Sequence, residues 1–504
     1  MISLKQQKGK IIEPQKELDS IGEYDTLVIG GGMAGIGAAI SSSRMGCKTL
    51  LVERESSLGG LATIGLVNIP LDFAAGISKE MLSRLDEVNG HWHRNSDPEK
   101  HKLILDRMIK ESGCDLLLVS HAVDSIVEKG AIKGVVIESK SGRQAILAKR
   151  VIDCSGDADA AFFAGCECMA GRPSDGKHQA CSLEFRLGGV DWDTYQNSEL
   201  KKNDPQWIKL IEKAVAGKDL PYMIDNHLNW VTHVPGRPEH TGQDEISFCF
   251  AHSRNCRPLD VKDLTRMYLE GREQADILWK FIKKCIPGFS KCYLIDTATL
   301  LGVRESRRVV GEYVLTTLDF ARAQTFDDVI CLTGHHYDLH NPDGPGNIKW
   351  AELEIDGQKR YVAVHGKGGS WAPPGGWDVI CDAFGRSGKD FQRKTMPSSI
   401  PYRSLVPAKI DNLLVAGRCL SSEFMAQAGC RLILTCLNMG QAAGTAAALS
   451  LKQGIAPRKL NRVALQKQLL QDGCDLGQGR FDIPGLDLKK FDQTKRADGK
   501  LVNN

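Results

Sequence analysis

Residues 26–53 read TLVIGGGMAGIGAAISSSRMGCKTLLVE, and no other run in the chain restricts its folding so much. A short apolar strand (26–29) leads into Gly30, Gly32 and Gly35 on the spacing GxGxxG. A helix of small residues (34–45) follows, then a second apolar strand (49–52) with Glu53 at its end. Strands that are apolar at every position belong inside a parallel sheet covered on both faces. Each glycine has a physical task in such a βαβ unit. Gly30 permits the tight turn, Gly32 lets backbone approach a pyrophosphate, and Gly35 lets the helix lie against the strand. The helix N-terminus presents unpaired N–H groups to phosphate, and Glu53 can accept from a ribose diol. The fold class expected is therefore α/β, doubly wound, with a Rossmann-like dinucleotide-binding domain.

Composition narrows the remaining possibilities. The 504 residues suggest two to four domains. Lys plus Arg is 65 against 62 for Asp plus Glu, so the net charge of +3 gives no general pull toward nucleic acid or anionic lipid. The N-terminal 25 residues are polar, and no apolar run reaches membrane length, so no membrane association and a cytoplasmic location are expected. Sixteen cysteines are scattered without a CxxC pair, the nearest two being Cys166 and Cys168; most are expected to be reduced, buried, small apolar residues. No metal is expected.

After Glu53 comes RESSLGGLATIG, which sets Gly59 and Gly60 a few residues past the acid. This Glu-(x)5-Gly-Gly arrangement resembles the glutathione-reductase-type FAD proteins. Among these the chain is similar to the FAD-dependent oxidoreductase family, itself distantly similar to the fumarate reductase flavoproteins. The resemblance covers about residues 24–472 and implies FAD as cofactor. Cofactor contacts are then expected from Gly30, Gly32, Met33, Ala34, Gly35, Glu53, Arg54, Gly59, Gly60, Thr63 and Val123. In the same family a small-residue turn, here Ser155-Gly156-Asp157, adds a second contact, as do Gly417 and Arg418. Asp157 alternatively caps the helix that follows. No second GxGxxG occurs, so a built-in nicotinamide domain is not expected.

The domain plan expected is an N-terminal arm (1–22), a first part of the FAD domain (23–170), an inserted mixed α+β substrate domain (171–399), a second part of the FAD domain (400–455), and a C-terminal helix with a loose polar tail (456–504). Helices are expected over 96–112, 261–284 and 432–452, and a strand over 412–416. The segments DLLLV, AVDSIVEK, AIKGVVIESK and QAILAKRVIDC read as a β-meander. The Gly/Pro-rich stretch 341–377 reads as a surface hairpin or a mobile lid.

Candidate chemistry lies in four places. Arg431, just ahead of the last long helix, suits a reduced flavin or a substrate carboxylate, or alternatively loop carbonyls. In LGVRESRRVVGEY, Arg304 and Arg307 share a face if helical, for anion binding or internal ion pairs. In HHYDLHNPDG, Asp338 can orient His340 as acid, base or structural donor, with His335 and His336 nearby. Tyr402 and Arg403 of the IPYR segment border the flavin or pack a junction. Gln427 stands where relatives often carry histidine, which removes a titratable group from that loop. The function expected is hydride transfer between flavin N5 and a small polar, carboxylate- or carbonyl-bearing substrate, with an external electron donor or acceptor. The alternatives are a flavin-dependent monooxygenase, with no WxWxIP segment to make it a halogenase, or an FAD-containing RNA-associated protein. No nucleic-acid partner is expected, and oligomeric state is not legible.

Overall fold

The computed structural model describes residues 15–236, 244–322, 324–334, 338–340, 342–345, 398–478 and 484, together with the backbone of five strands at 6–7, 10–11, 348–355, 358–365 and 379–381. At its centre is a seven-stranded sheet. Its strands are β1 (Ser20–Ile29), β2 (Thr49–Val52), β3 (Asp115–Leu117), β4 (His121–Glu128), β5 (Ala131–Ser139) and β6 (Gly142–Asp153), in the order β3-β2-β1-β6-β5-β4. The seventh, Leu413–Val415, lies parallel to the C-terminal end of β6.

Period-2 alternation explains why both faces are dry. Val28, Leu51, Ile152 and Leu414 face one cluster; Leu27, Ile29, Leu50, Val52, Val151, Leu413 and Val415 face the other. On the first face lie helices α1 (Met33–Arg44), α2 (Ile77–Glu87) and α3 (Pro98–Ser112). The long C-terminal helix Ile433–Lys452 packs on α1 so closely that a Cβ on Gly37 or Gly440 would overlap the facing backbone. The small residues of both helices are what permit this approach. On the second face lie the β4–β5 ribbon and α4 (Asp159–Phe163).

Several expectations hold at the level of elements. The sheet is Rossmann-like, Asp97 caps α3 through Glu99 N–H at 2.9 Å, and Gly113 ends it with φ +80°. Others are corrected. β1 begins at Ser20, inside the segment expected as an arm and six residues before the apolar run, because Ser20–Tyr24 pairs with β6 where the sheet is only half covered. DLLLV is no part of a meander. It runs parallel to β2 on the opposite edge, while β4, β5 and β6 form the meander.

A four-stranded antiparallel sheet follows the first βαβ region. It comprises β8 (Phe185–Val190), β9 (Trp230–His233), β10 (Asp244–Cys249) and β12 (Tyr293–Thr297), ordered β9-β10-β8-β12. Beside it, β7 (Cys181–Ser182) pairs with β11 (His252–Ser253). Helix α5 (Val261–Cys285), capped by Asp260, covers this sheet through Ala275, Leu278, Phe281 and Ile282. Phe185 stacks on Phe248 with centroids 5.3 Å apart, and Trp207 is fully buried against them. Residues 303–306, where a helix would have set Arg304 and Arg307 on one face, are not helical; they lead into the short strand β13 (Arg307–Val309). Two strands of 348–365 form a hairpin. His335, His336, the whole GKGGSWAPPGGW segment (366–377) with its two tryptophans, and the C-terminal tail from Lys489 lie outside the described residues.

The chain returns through β14 (Val329–Thr333) and β15 (Ser398–Pro401), which pair with each other, β16 (the strand Leu413–Val415), α6 (Phe424–Cys430), α7 (the helix Ile433–Lys452) and α8 (Arg462–Gln471). Among the described residues no single helix is long and apolar enough to cross a membrane. The pair α6 and α7 together meets that criterion, but it is bent by 92° and its residues are nearly all buried in the core.

Candidate functional site

The turn after β1 is held by backbone. Gly30 sits at φ +97°, where a side chain would collide with the Cys154 carbonyl. The Gly31 N–H donates to Glu53 Oε2, and the Gly31 carbonyl accepts from Gly59 N–H at 2.8 Å, so the second glycine pair is stitched to the first turn. Gly35 lies directly on Gly30, where a Cβ would overlap its carbonyl oxygen. Gly32 differs from these. A Cβ there would meet nothing within 4 Å, and no side chain caps α1, so its first N–H groups open onto free space.

That space is a cavity of ≈ 450 Å³. At one end it is lined by Gly30, Gly32, Met33, Ala34, Glu53, Arg54 and Gly60; Ser155, Gly156 and Asp157 form its flank. The N-terminus of α7 contributes Arg431, Ile433 and Cys436, while Gly417 lies against Ala34 and Arg418 against Asp157. Pro258, Leu264, Tyr268, Leu300, Leu301 and Val303 add an apolar wall. An elongated ligand with phosphate in its middle fits this distribution: two uncapped helix N-termini, a bare glycine and an acid at one end. Glu53 is 7% exposed, burial raises its pKa, and Oε1 accepts from Glu55 N–H at 2.7 Å. A second concavity of ≈ 630 Å³, by Tyr24, Leu116 and Ser139, has neither a glycine turn nor a helix N-terminus among its lining residues.

Not every expected residue reaches the cavity. Gly35 lies behind its wall, and Thr63 is buried with its hydroxyl on the Leu58 carbonyl at 2.6 Å. At the start of β4 the lining is His121 and Ala122, with Ser120 just before the strand, rather than Val123. Asp157 does not cap α4. Its Oδ1 accepts from Ser306 Oγ at 2.6 Å and Arg418 Nη2 at 2.8 Å. Burial would raise the Asp157 carboxyl, yet Arg418, Ser306 and Arg54 hold it below its ordinary range. The turn is organised instead by Asp153, which accepts from the Ser155 hydroxyl (2.7 Å) and Ala161 N–H (2.8 Å).

The arginines of GVRESRR diverge because the segment is not a helix. Arg307 donates to the Asp157 carbonyl and pairs with Asp159, both at 3.1 Å, while covering the Phe162 ring. Arg308 forms a buried ion pair with Glu305, to which His178 also bonds at 2.6 Å. Arg304 goes the other way, donating to Ala180 O at 2.9 Å and Cys249 Sγ at 3.4 Å. Arg403 and Tyr402 do not line the cavity: Arg403 clamps Asp328 with Nε at 2.9 Å, and Tyr402 donates to the Pro457 carbonyl at 3.0 Å, so both pack a junction.

Beyond Arg431 lies a buried polar cluster. Arg431 pairs with Asp338 at 3.1 Å, Asp338 accepts from His340 Nε2 at 3.1 Å, and the His340 ring stacks on His252 with centroids 5.1 Å apart. His252 reaches Asp225 at 3.2 Å, as does Arg254 at 3.1 Å. Burial and the neighbouring Arg304 push His340 down to about 4, so it is neutral at neutral pH. Glu184, buried and bonded to Ser182 Oγ at 2.8 Å, is pushed up to about 7 by burial, partly opposed by Arg304. Among the described residues Arg431 Nε, Glu184 Oε2, Gln179 Nε2 and Gln427 Oε1 have no hydrogen-bond partner. Such orphaned groups are costly unless a ligand or water meets them. Glu184, His252 and Asp225 escape sequence reading because nothing local marks them. Among the described residues no group of three His, Cys, Asp or Glu could hold a metal ion.

Comparison with known proteins agrees with the cradle. Curated relatives include digeranylgeranylglycerophospholipid reductase 2 of Methanothermobacter thermautotrophicus, 30% identical over 200 residues, 34% of this chain and 48% of that protein. The chain thus matches about half the length of the first such relatives. A tRNA uridine 5-carboxymethylaminomethyl modification enzyme of Clostridium botulinum is 33% identical over 93 residues, 18% of this chain and 14% of that one. Among solved structures, a geranylgeranyl bacteriochlorophyll reductase-like protein from Thermoplasma acidophilum aligns over 94% of this chain and 90% of its own, with TM-score 0.41 and 14% identity. The profile of the family described as FAD dependent oxidoreductase matches residues 25–469, which include both ends of the cavity. With the glycine turns, the acid and the returning helix all inside that match, the chain belongs to the FAD-dependent oxidoreductase family.

Proposed function

We propose that this FAD-dependent oxidoreductase passes hydride between the flavin and a small polar substrate bearing a carboxylate or carbonyl, bound at the Arg431 end of the cavity. The carrying observation is Arg431 itself: it lines the cavity at the N-terminus of α7, and its Nε has no partner among the described residues. The glycine turn, the N-terminus of α1 and Glu53 would hold the dinucleotide, with Arg418 and Asp157 on its flank. Bound FAD supplies two-electron chemistry at N5. Around it, Arg431 and the α7 N-terminus stabilise negative charge on the reduced ring or on substrate. Asp338 holds Arg431 in place and fixes the His340 tautomer through Nε2. His340 then serves as a neutral hydrogen-bonding group. Glu184, pushed up to about 7 by burial, belongs to the same buried cluster but does not line the cavity, so no proton transfer is assigned to it. An external donor or acceptor completes the cycle.

A second reading rests on the apolar wall formed by Leu264, Tyr268, Leu300, Leu301 and Val303. It favours reduction of a carbon–carbon double bond in a more apolar molecule, and relatives of this chain are named as reductases of a geranylgeranyl lipid. Anaerobic rapid mixing separates the two readings. Reduced protein is mixed with unsaturated acids, ketones, isoprenoid alkenes, quinones and dioxygen, and oxidised protein with alcohols and amines. Fast flavin reoxidation by unsaturated acids or ketones supports the polar reading; reoxidation by isoprenoids alone supports the second. Oxygen-dependent hydroxylation would mean a monooxygenase. Salt-sensitive retention of RNA, with no small-molecule turnover, would overturn both.

A further inference from the structure

Cysteine spacing conceals a thiol pair that folding creates. Cys181 on β7 and Cys256 in the loop after β11 are 75 positions apart, yet their sulfurs lie 3.5 Å from each other. Both are buried, Cys181 at 0% and Cys256 at 3% exposure, and Cys256 also reaches the Gln179 carbonyl at 3.4 Å. Among the described residues no other two thiols hydrogen-bond to each other. The pair belongs to an apolar cluster shared with Leu264, Tyr268, Leu301 and Val303, which all line the cofactor cavity. Its flanks matter to the site as well. Ala180, next to Cys181, carries the carbonyl that anchors Arg304, and Pro258, two residues past Cys256, is part of the cavity wall.

We propose that Cys181 and Cys256 form a dithiol that hydrogen peroxide closes to a disulfide, making this wall of the cofactor cavity sensitive to oxidation. Cys256 is the attacking sulfur, since the hydrogen bond from Cys181 and the nearby His178 hold its thiol below the usual range. The Cys256 thiolate takes one peroxide oxygen, giving a sulfenic acid and hydroxide. The Cys181 sulfur then attacks that sulfenic sulfur and expels its oxygen as water once protonated. In sum, two thiols and one hydrogen peroxide become one disulfide and two waters. The covalent link ties β7 to the 254–260 loop, and with them the Arg304 anchor and Pro258. A thiol reductant reverses it by exchange.

The test uses the full-length, FAD-loaded protein and hydrogen peroxide as the probe. After peroxide treatment, free thiols are alkylated under native and then denaturing conditions, and non-reduced tryptic peptides are analysed by mass spectrometry. Peptides 178–186 and 255–262 each contain a single cysteine. The proposal predicts that they appear joined, with the intact mass lower by two hydrogens, and that dithiothreitol separates them. The C181S variant should stop at a sulfenic acid on Cys256, captured by dimedone, and C256S should leave Cys181 alkylatable. Recovery of both peptides singly alkylated, linkage of a different pair first, or linkage only after unfolding would overturn it. If a serine variant does not fold, the wild-type peptide map alone decides.

Discussion

The two ends of the cavity are built from different materials. At the glycine end much of the contact is backbone, from the N–H groups of the α1 N-terminus and the bare Gly32, with Glu53 and Arg54 adding side chains, and residues Gly30 to Gly60 are close in sequence. At the arginine end Arg431 reaches the cavity, and it belongs to a buried cluster of side chains drawn from distant parts of the chain, among them His252, Arg304, Asp338 and His340. A phosphate-binding turn is specified by local conformation and tolerates little change in it. A charge cluster is specified by tertiary packing, so it can vary in chemistry while the cradle stays the same.

Breaking the first end should give the largest effect. In Gly32→Val the backbone is extended, so the fold accepts the side chain, but the branched group fills the space open to phosphate. FAD affinity should fall about 100-fold or more, near 3 kcal/mol, with the apoprotein melting temperature unchanged. Equilibrium dialysis and calorimetry check this; retained FAD would break the contrast between the ends.

At the second end, Glu184→Gln tests the electrostatics. The folded-state carboxyl is pushed up to about 7, above its value in the unfolded chain. Stability associated with the neutral acid is thus complete below roughly pH 4.3 and is lost as pH rises through 7. Glutamine cannot ionise. Relative to the variant, the wild type should lose up to about 3 kcal/mol between pH 5 and 8, read from denaturant midpoints. Parallel pH profiles would show that Glu184 is not the buried, poised group described here.

The smallest effect is expected from Arg403→Ala. Its side chain is 44% exposed, pairs with Asp328 and lies away from the cavity. A stability loss of about 1 kcal/mol and an unchanged FAD affinity are expected, by the same dialysis and denaturant measurements. A large loss of FAD would place the IPYR segment nearer the flavin than its contacts show.

This contrast also explains how much was legible beforehand. The βαβ unit, the Glu53 position, the second glycine pair and the closing helix are readable because each depends on neighbours a few residues away. The alternation of Leu27 and Ile29 against Val28 likewise reports a sheet buried on both faces. What failed depended on distant partners. Arg304 and Arg307 share no face, because each is drawn to a different carbonyl. Asp157 spends its oxygens on Ser306 and Arg418, about 150 and 260 positions away, rather than on the helix beside it. The Asp153 carboxyl, by contrast, sits at a strand end before Ser-Gly, and that local signal was available.

The most direct test concerns whether Arg431 and the α7 N-terminus face the redox-active ring. Spectroelectrochemical titration of FAD-loaded wild type and Arg431→Met measures the two-electron midpoint potential. Loss of a buried cation worth about 1–2 kcal/mol to the reduced anion should make the variant more negative by roughly 20–40 mV, with FAD still bound. Equal potentials in the two proteins would contradict this placement.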